Sequence, residues 1–214
     1  NRPSIETPVH SFLMKYVVHL HPIQFNMITD YSFLNNELII DYITPGIDLA
    51  IEIKKKYNNE KIIFLKNHGI IFTTNDFDEL EDLIKNTMKR LENYLSINYD
   101  KYRICNKISK IIGHNTITSL SNIKYTNKIF KKSFFPDHVV YCGNAVIKSN
   151  INENSKIIVY DNNIYISSKS LKKNYEIESV LKAHILCYND NVTFLSDDEI
   201  DYLNNWDAEK YRKN

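Results

Sequence analysis

The sequence predicts an α/β protein over its first hundred residues, followed by a small α+β unit. Three observations carry that reading. Short strand-like runs, Tyr16–His21, Lys61–Leu65 and Ile70–Thr73, are interleaved with stretches of helical periodicity. A long amphipathic segment from Asp76 to Leu95 sets Phe77, Leu80, Leu83, Ile84, Met88, Leu91 and Tyr94 on one stripe. Beyond Ser96 the pattern becomes weaker and more polar through Lys132, which places a domain boundary near residue 100 and gives units 1–100 and 101–214.

Taken in order, Thr7 followed by Pro8 reads as an N-cap with proline at the first helical position, and Val9, Phe12 and Leu13 then fall at helical spacing. Tyr16–His21 alternates, so Val17, His19 and His21 share one face of a strand and Val18 and Leu20 the other. After Pro22 a helix is predicted over Phe25–Tyr31, then a short strand over Glu37–Tyr42 leading to a Pro45-Gly46 turn. A helix from Ile47 to Tyr57 follows, with Lys54, Lys55 and Lys56 at the end where the helix dipole favours cations. Two buried strands, Lys61–Leu65 and Ile70–Thr73, flank Asn67-His68-Gly69. In the second unit, strands are predicted over Val139–Cys142, Ala145–Lys148, Lys156–Tyr160 and Ile164–Ser167, the last two joined through Asn162-Asn163. A helix over Tyr175–Cys187 packs on them. The final helix opens with a Ser196–Glu199 capping box and turns Ile200, Leu203 and Trp206 to the core.

Composition narrows the function classes. The 214 residues carry 27 basic and 26 acidic side chains, without a block of one sign, so nothing asks for a nucleic-acid partner. The 15 tyrosines sit among asparagine, lysine and isoleucine and read as compositional bias, not a base-stacking surface. No apolar run reaches the roughly eighteen residues that span a bilayer, and no signal-peptide layout is present. Cys105, Cys142 and Cys187 are far apart and outside any Cys-x-x-Cys pair, so they make neither a disulfide framework nor a cysteine zinc site. A cytoplasmic, soluble protein is the expectation. The first residue is Asn1, and the stretch to Glu6 already reads as the lead-in to a site, so further sequence upstream is also expected.

Four residues carry chemistry. His19 and His21, two apart on a strand, have Cα atoms about 6.6 Å apart and rings on one face, which lets both reach one ion at about 2.0–2.1 Å. Alone, the pair reads as a polar stripe beside a cleft. His68 offers a third ligand, with Gly69 expected to let the backbone turn sharply, in a chain that has 4 glycines. Alone, that segment reads as a simple turn. Glu6, thirteen residues before His19, is an acid at the mouth of the first helix and taken alone reads as a solvated or helix-capping carboxylate. His10 lines the same cleft or faces solvent. His114, His138 and His184, scattered in the second unit, are read as surface or satisfied core residues.

Ser4-Ile5-Glu6-Thr7-Pro8-Val9-His10, Val18-His19-Leu20-His21-Pro22 and Leu65-Lys66-Asn67-His68-Gly69-Ile70-Ile71 together resemble, in the same order, the signature of the class II aldolase/adducin family. Tyr42-Ile43-Thr44-Pro45-Gly46 resembles the family's segment after the metal strand. Phe135–Val140 and Asn205–Arg212 look like a C-terminal extension of longer members. The resemblance covers about residues 1–95, the C-terminal portion of the family's domain; the family's usual first half, with its Gly-Asn loop, has no counterpart here. It implies a mixed or antiparallel sheet flanked by helices, α/β/α. It further implies Zn2+ held by His19, His21 and His68, Glu6 as catalytic acid/base, and Ser4 holding substrate phosphate. Ile5 stands where some sugar-phosphate aldolases carry a second phosphate-binding serine. The implied activity is that of a lyase that cleaves a carbon–carbon bond of a ketose or ketose phosphate by retro-aldol chemistry through a metal-stabilised enediolate. Epimerase or decarboxylase chemistry and a non-catalytic adducin-like interaction module are the alternatives. The family also implies a homo-oligomer, commonly a tetramer.

Overall fold

Strands β3 (Ile62–Leu65) and β4 (Gly69–Thr74) form an antiparallel hairpin whose side chains are almost entirely buried, and the first unit is built on its two faces. The computed structural model describes residues 6–34, 36–96, 106–112, 115–120, 130, 133–143, 146–147, 156–160, 163–188 and 191–205. The chain divides into two units, Asn1–Tyr99 and Asp100–Asn214.

In the first unit β1 (Tyr16–Leu20) pairs antiparallel with β4, and β2 (Leu38–Ile40) pairs parallel with β3, giving a mixed sheet of order β1-β4-β3-β2. The period of two in a strand sends successive side chains to opposite faces. Ile63, Leu65 and Ile71 therefore meet Val9 of α1 (Thr7–His10) and Leu49, Ala50 and Ile53 of α3 (Ile47–Lys56). Phe64, Ile70 and Phe72 meet Phe25 of α2 (Ile23–Asn26) and Leu80 and Leu91 of α4 (Phe77–Leu95). The result is helices on both faces of a mixed sheet, as the resemblance implies. Each fully buried aliphatic or aromatic side chain contributes roughly 1.5–3 kcal/mol.

The helices follow local signals with a few corrections. In α1, Glu6 and not Thr7 is the N-cap residue, and it holds a helical backbone without a side-chain cap. Asp76 caps α4 by accepting from the Asp78 N–H, and α3 ends on Lys54, Lys55 and Lys56. Phe77, read as part of the buried stripe, is exposed, lying edge-on to Tyr16 with ring centroids 5.6 Å apart. The helix predicted over Phe25–Tyr31 stops at Asn26, and a 3-10 turn at Ser32–Leu34 precedes β2.

Among the described residues the second unit is a five-stranded sheet of order β5-β6-β9-β8-β7 with two α-helices and a π-helix. β5 (Asn106–Ile112) and β6 (Asn115–Leu120) pair antiparallel inside the stretch whose sequence pattern is weak and polar. β8 (Ile157–Tyr160) and β9 (Asn163–Ser168) pair antiparallel with Tyr160 opposite Asn163, so Asn163 belongs to the strand; Asn162 lies outside the described residues. Val146–Ile147 is β7, parallel to β8. The strand predicted over Val139–Cys142 is instead a π-helix, His138–Cys142, ended by Gly143 at φ 61°. α5 (Leu171–Cys187) starts earlier than predicted because Ser170 caps it by accepting from the Lys173 N–H. α6 (Asp197–Asn205) carries the predicted capping box: Ser196 N–H donates to Glu199 at 2.7 Å and Glu199 N–H to Ser196 Oγ at 3.3 Å. Trp206 and Cys105 lie outside the described residues, while Cys142 and Cys187 are buried and form no disulfide among the described residues. Among the described residues no helix is long and apolar enough to cross a membrane.

Candidate metal centre

The site forms at one end of the first sheet, on the face that carries α1 and α3. β1 runs antiparallel to β4 with His19 opposite Ile71 and Leu20 opposite Ile70, so one more step of that register sets His21 against Gly69. Alternation gives His19 the face of Val17, which packs with the α1 and α3 side chains. Glu6 begins α1, and Val9 anchors that helix in the same cluster. His68 closes the three-residue turn between β3 and β4, its N–H donating to the Leu65 carbonyl at 3.1 Å.

Glu6, His19, His21 and His68 converge, each offering a ligand atom within 4.8 Å of the others. The three rings form a nearly equilateral triangle, with centroids 4.7, 4.9 and 4.8 Å apart and planes steeply inclined. Glu6 Oε1 lies 3.1 Å from His19 Nδ1 and 3.9 Å from His68 Nε2. Donors sharing one tetrahedral ion at about 2.0–2.1 Å stand about 3.3 Å apart, so these separations fit a common coordination sphere as well as they fit hydrogen bonds. The His19 and His68 side chains are nearly buried, at 7% and 3% exposure, whereas Glu6 keeps 23%. Among the described residues nothing hydrogen-bonds the buried His19 Nε2, an arrangement that is costly unless some other group satisfies the nitrogen. Three imidazoles and a carboxylate suit a borderline divalent ion such as zinc, and three histidines leave one position open. The residues fit such an ion.

Two supporting features were missed or misread in the sequence. Asn67, not Gly69, makes the sharp turn: it holds φ 54°, a left-handed conformation that asparagine tolerates better than most residues. Gly69 is needed for space. A Cβ there would lie 2.4 Å from the Leu20 carbonyl oxygen, 2.7 Å from His21 Cδ2 and 3.0 Å from His19 Nε2, so only glycine lets the two rings lie across the start of β4. The turn is braced from behind. Lys66 N–H donates to the Ile40 carbonyl at 3.0 Å, and Lys66 Nζ pairs with Asp41 at 2.7 Å, holding that carboxyl below its ordinary range. Tyr31 hydrogen-bonds the Asn67 backbone, and burial pushes its hydroxyl up to about 12. No motif marks Tyr31, because its contact depends on a loop far away in sequence.

His10, at the end of α1, is exposed. Ser4 lies outside the described residues. His138 and His184, apart in sequence, are brought into contact in the second unit.

No family model and no curated protein matches this chain. Among solved structures, the N-terminal class II aldolase domain of a conserved protein from Thermoplasma acidophilum aligns with it at 31% identity, over 44% of this chain and 48% of that one, with a TM-score of 0.40. The chain thus spans about half the length of that structure. A superposition this loose fixes neither fold nor activity, and the centre stands on its own geometry.

Proposed function

We propose that this chain carries the metal centre of a zinc-dependent lyase that cleaves a carbon–carbon bond of a ketose or ketose phosphate by retro-aldol chemistry. The observation that carries the reading is the convergence of Glu6, His19, His21 and His68 within 4.8 Å. The order of the motifs in the sequence supplies the reaction class. His19, His21 and His68 hold the ion. When bound, zinc supplies Lewis-acid polarisation of the substrate's oxygens. Glu6 moves the proton: it takes the proton of the hydroxyl on the far side of the breaking bond as that C–O becomes C=O. The bonding electron pair stays on the carbon beside the ketose carbonyl, which takes a proton back. What supports this role is that Glu6 combines acceptor oxygens with a partly open side chain. Burial of His19 and His68 excludes water from the protein side of the site, which strengthens every charge interaction there.

A cytoplasmic homo-oligomer acting on a small sugar, with Ser4 on its phosphate, belongs to the same proposal. The deciding experiment measures zinc content and retro-aldol turnover for the wild type and Glu6→Gln, on the full-length protein. We expect stoichiometric zinc in both, with turnover reduced about 10²–10⁴-fold in the variant. Full activity of Glu6→Gln removes Glu6 from the chemistry. Absence of stoichiometric zinc in the wild type replaces the enzyme with an interaction module.

A further inference from the structure

Two buried histidines of the second unit take no part in the chemistry above. The π-helix His138–Cys142 packs against α5 and α6. π-Helical turns are rare and concentrate at functional sites. His138, its first residue, is 5% exposed and His184 on α5 is 0% exposed. Their rings stack with centroids 3.7 Å apart and planes 18° apart, and Phe134 stacks on His184 at 4.5 Å. Phe135 closes the cluster at 5.7 Å from His184 and 6.2 Å from His138. Ser133 Oγ and His138 Nδ1 share a hydrogen bond of 2.5 Å, while the buried His138 Nε2 has no hydrogen-bond partner among the described residues.

That geometry distinguishes the two charge states. A neutral imidazole leaves one nitrogen unsatisfied whichever tautomer it adopts. An imidazolium has two N–H donors and a full charge, with no acceptor at Nε2 and a second ring stacked on its face. The ionisable groups of the π-helix and of the helices packed against it are Asp137, Tyr141 and Cys142 on its own segment and Lys172, Lys173, Tyr175, Glu176, Glu178, Lys182, His184 and Cys187 on α5. On α6 they are Asp197, Asp198, Glu199, Asp201 and Tyr202. The aspartates of α6 are exposed, and Glu199 is engaged with Ser196. Burial, followed by His184, holds His138 well below the ordinary histidine value, and no carboxylate offsets them.

We propose that the His138–His184 stack is an acid-sensitive latch, fastening the π-helix to α5 while the rings are neutral and releasing it when a proton is forced onto the pair. With its proton affinity depressed in the folded state, His138 contributes fully above about 6.5, the ordinary value, and progressively less as the pH falls below it. Each proton that the open form takes up and the closed form refuses raises the opening constant about tenfold per pH unit. Glu178 acts in the opposite sense, since burial pushes its carboxyl up to about 7 and acid favours its closed form. The wild-type curve therefore sums two opposed slopes, and the test must compare variants.

The measurement is hydrogen exchange of the amides in 171–187 in the full-length protein at pH 7.5 and 5.5, corrected for intrinsic rates, for the wild type and His138→Asn. Asparagine can still reach Ser133 and does not titrate. We expect the ratio of wild-type to variant opening constants to rise about tenfold between the two pH values. A ratio independent of pH overturns the latch. If the variant does not fold, the Cε1 proton of His138 in the wild type decides: the neutral chemical shift should persist to pH 5.5, and a folded-state titration midpoint near 6.5 overturns the proposal.

Discussion

A methyl group at position 69 would meet the Leu20 carbonyl at 2.4 Å and two histidine rings within 3.0 Å, so the smallest possible substitution tests how tightly the metal centre is built. Backbone cannot retreat as a flexible side chain can, and His19 sits on that same strand with His21 just past its end. We expect Gly69→Ala to weaken zinc binding at least about tenfold, or about 1.4 kcal/mol, measured by competition with a chromophoric chelator. Unchanged affinity would show that the triangle of rings tolerates a side chain at 69. The ligand pattern was legible in the sequence because a strand repeats every two residues, which puts His19 and His21 side by side without any knowledge of the rest. The reason for Gly69 was not legible. A glycine after a histidine looks like a turn, and only the register of β1 on β4 shows that the absent Cβ makes room for two rings from another strand.

At the level of elements, signals contained in a few neighbouring residues were readable and those set by distant partners were not. The Ser196–Glu199 box is local and appears in the structure, and the helix predicted from Asp76 starts one residue later because Asp76 is its cap. Asp76→Ala should cost about 1 kcal/mol in a urea titration, the usual value for a lost N-cap, and an effect below a few tenths would show the cap to be idle. The helix it opens is held by tertiary packing. Leu91, fully buried among Phe25, Phe64 and Phe72, should cost about 2–5 kcal/mol when cut to alanine, whereas Tyr94, half-exposed on the same helix, should cost far less. By contrast, Val139-Val140-Tyr141-Cys142 has strand-like composition, and an apolar run that short does not separate strand from buried helix. Packing against α5 decides it. The β5–β6 hairpin was hidden for a related reason: its second strand is held by β9, nearly fifty residues away, and local sequence carries little trace of that pairing.

On the scale of the whole chain, each unit has its own apolar core, and the second contains ionisable groups that its core must keep neutral or pair. Glu178 and Lys182, one turn apart on α5, are both buried. Burial pushes the Glu178 carboxyl up to about 7, with Lys182 acting the other way, and burial also lowers Lys182. The unfolded chain has an ordinary carboxyl near 4.5, so the folded state binds the proton more tightly between these values. Stability from this residue is therefore fully present below about 4.5 and is lost as the pH rises through about 7. Glu178→Gln removes the titration while keeping the shape. Urea midpoints at pH 5.0 and 8.0 should show the wild type losing ground to the variant as the pH rises, with most of the loss between these two values. A wild-type advantage that grows with pH would mean that the Glu178–Lys182 ion pair outweighs the desolvation of both groups. Between the ordinary carboxyl value near 4.5 and the ordinary histidine value near 6.5 the two slopes offset each other, so the second unit should be firmest there, loosening through His138 in more acid solution and through Glu178 in more alkaline solution.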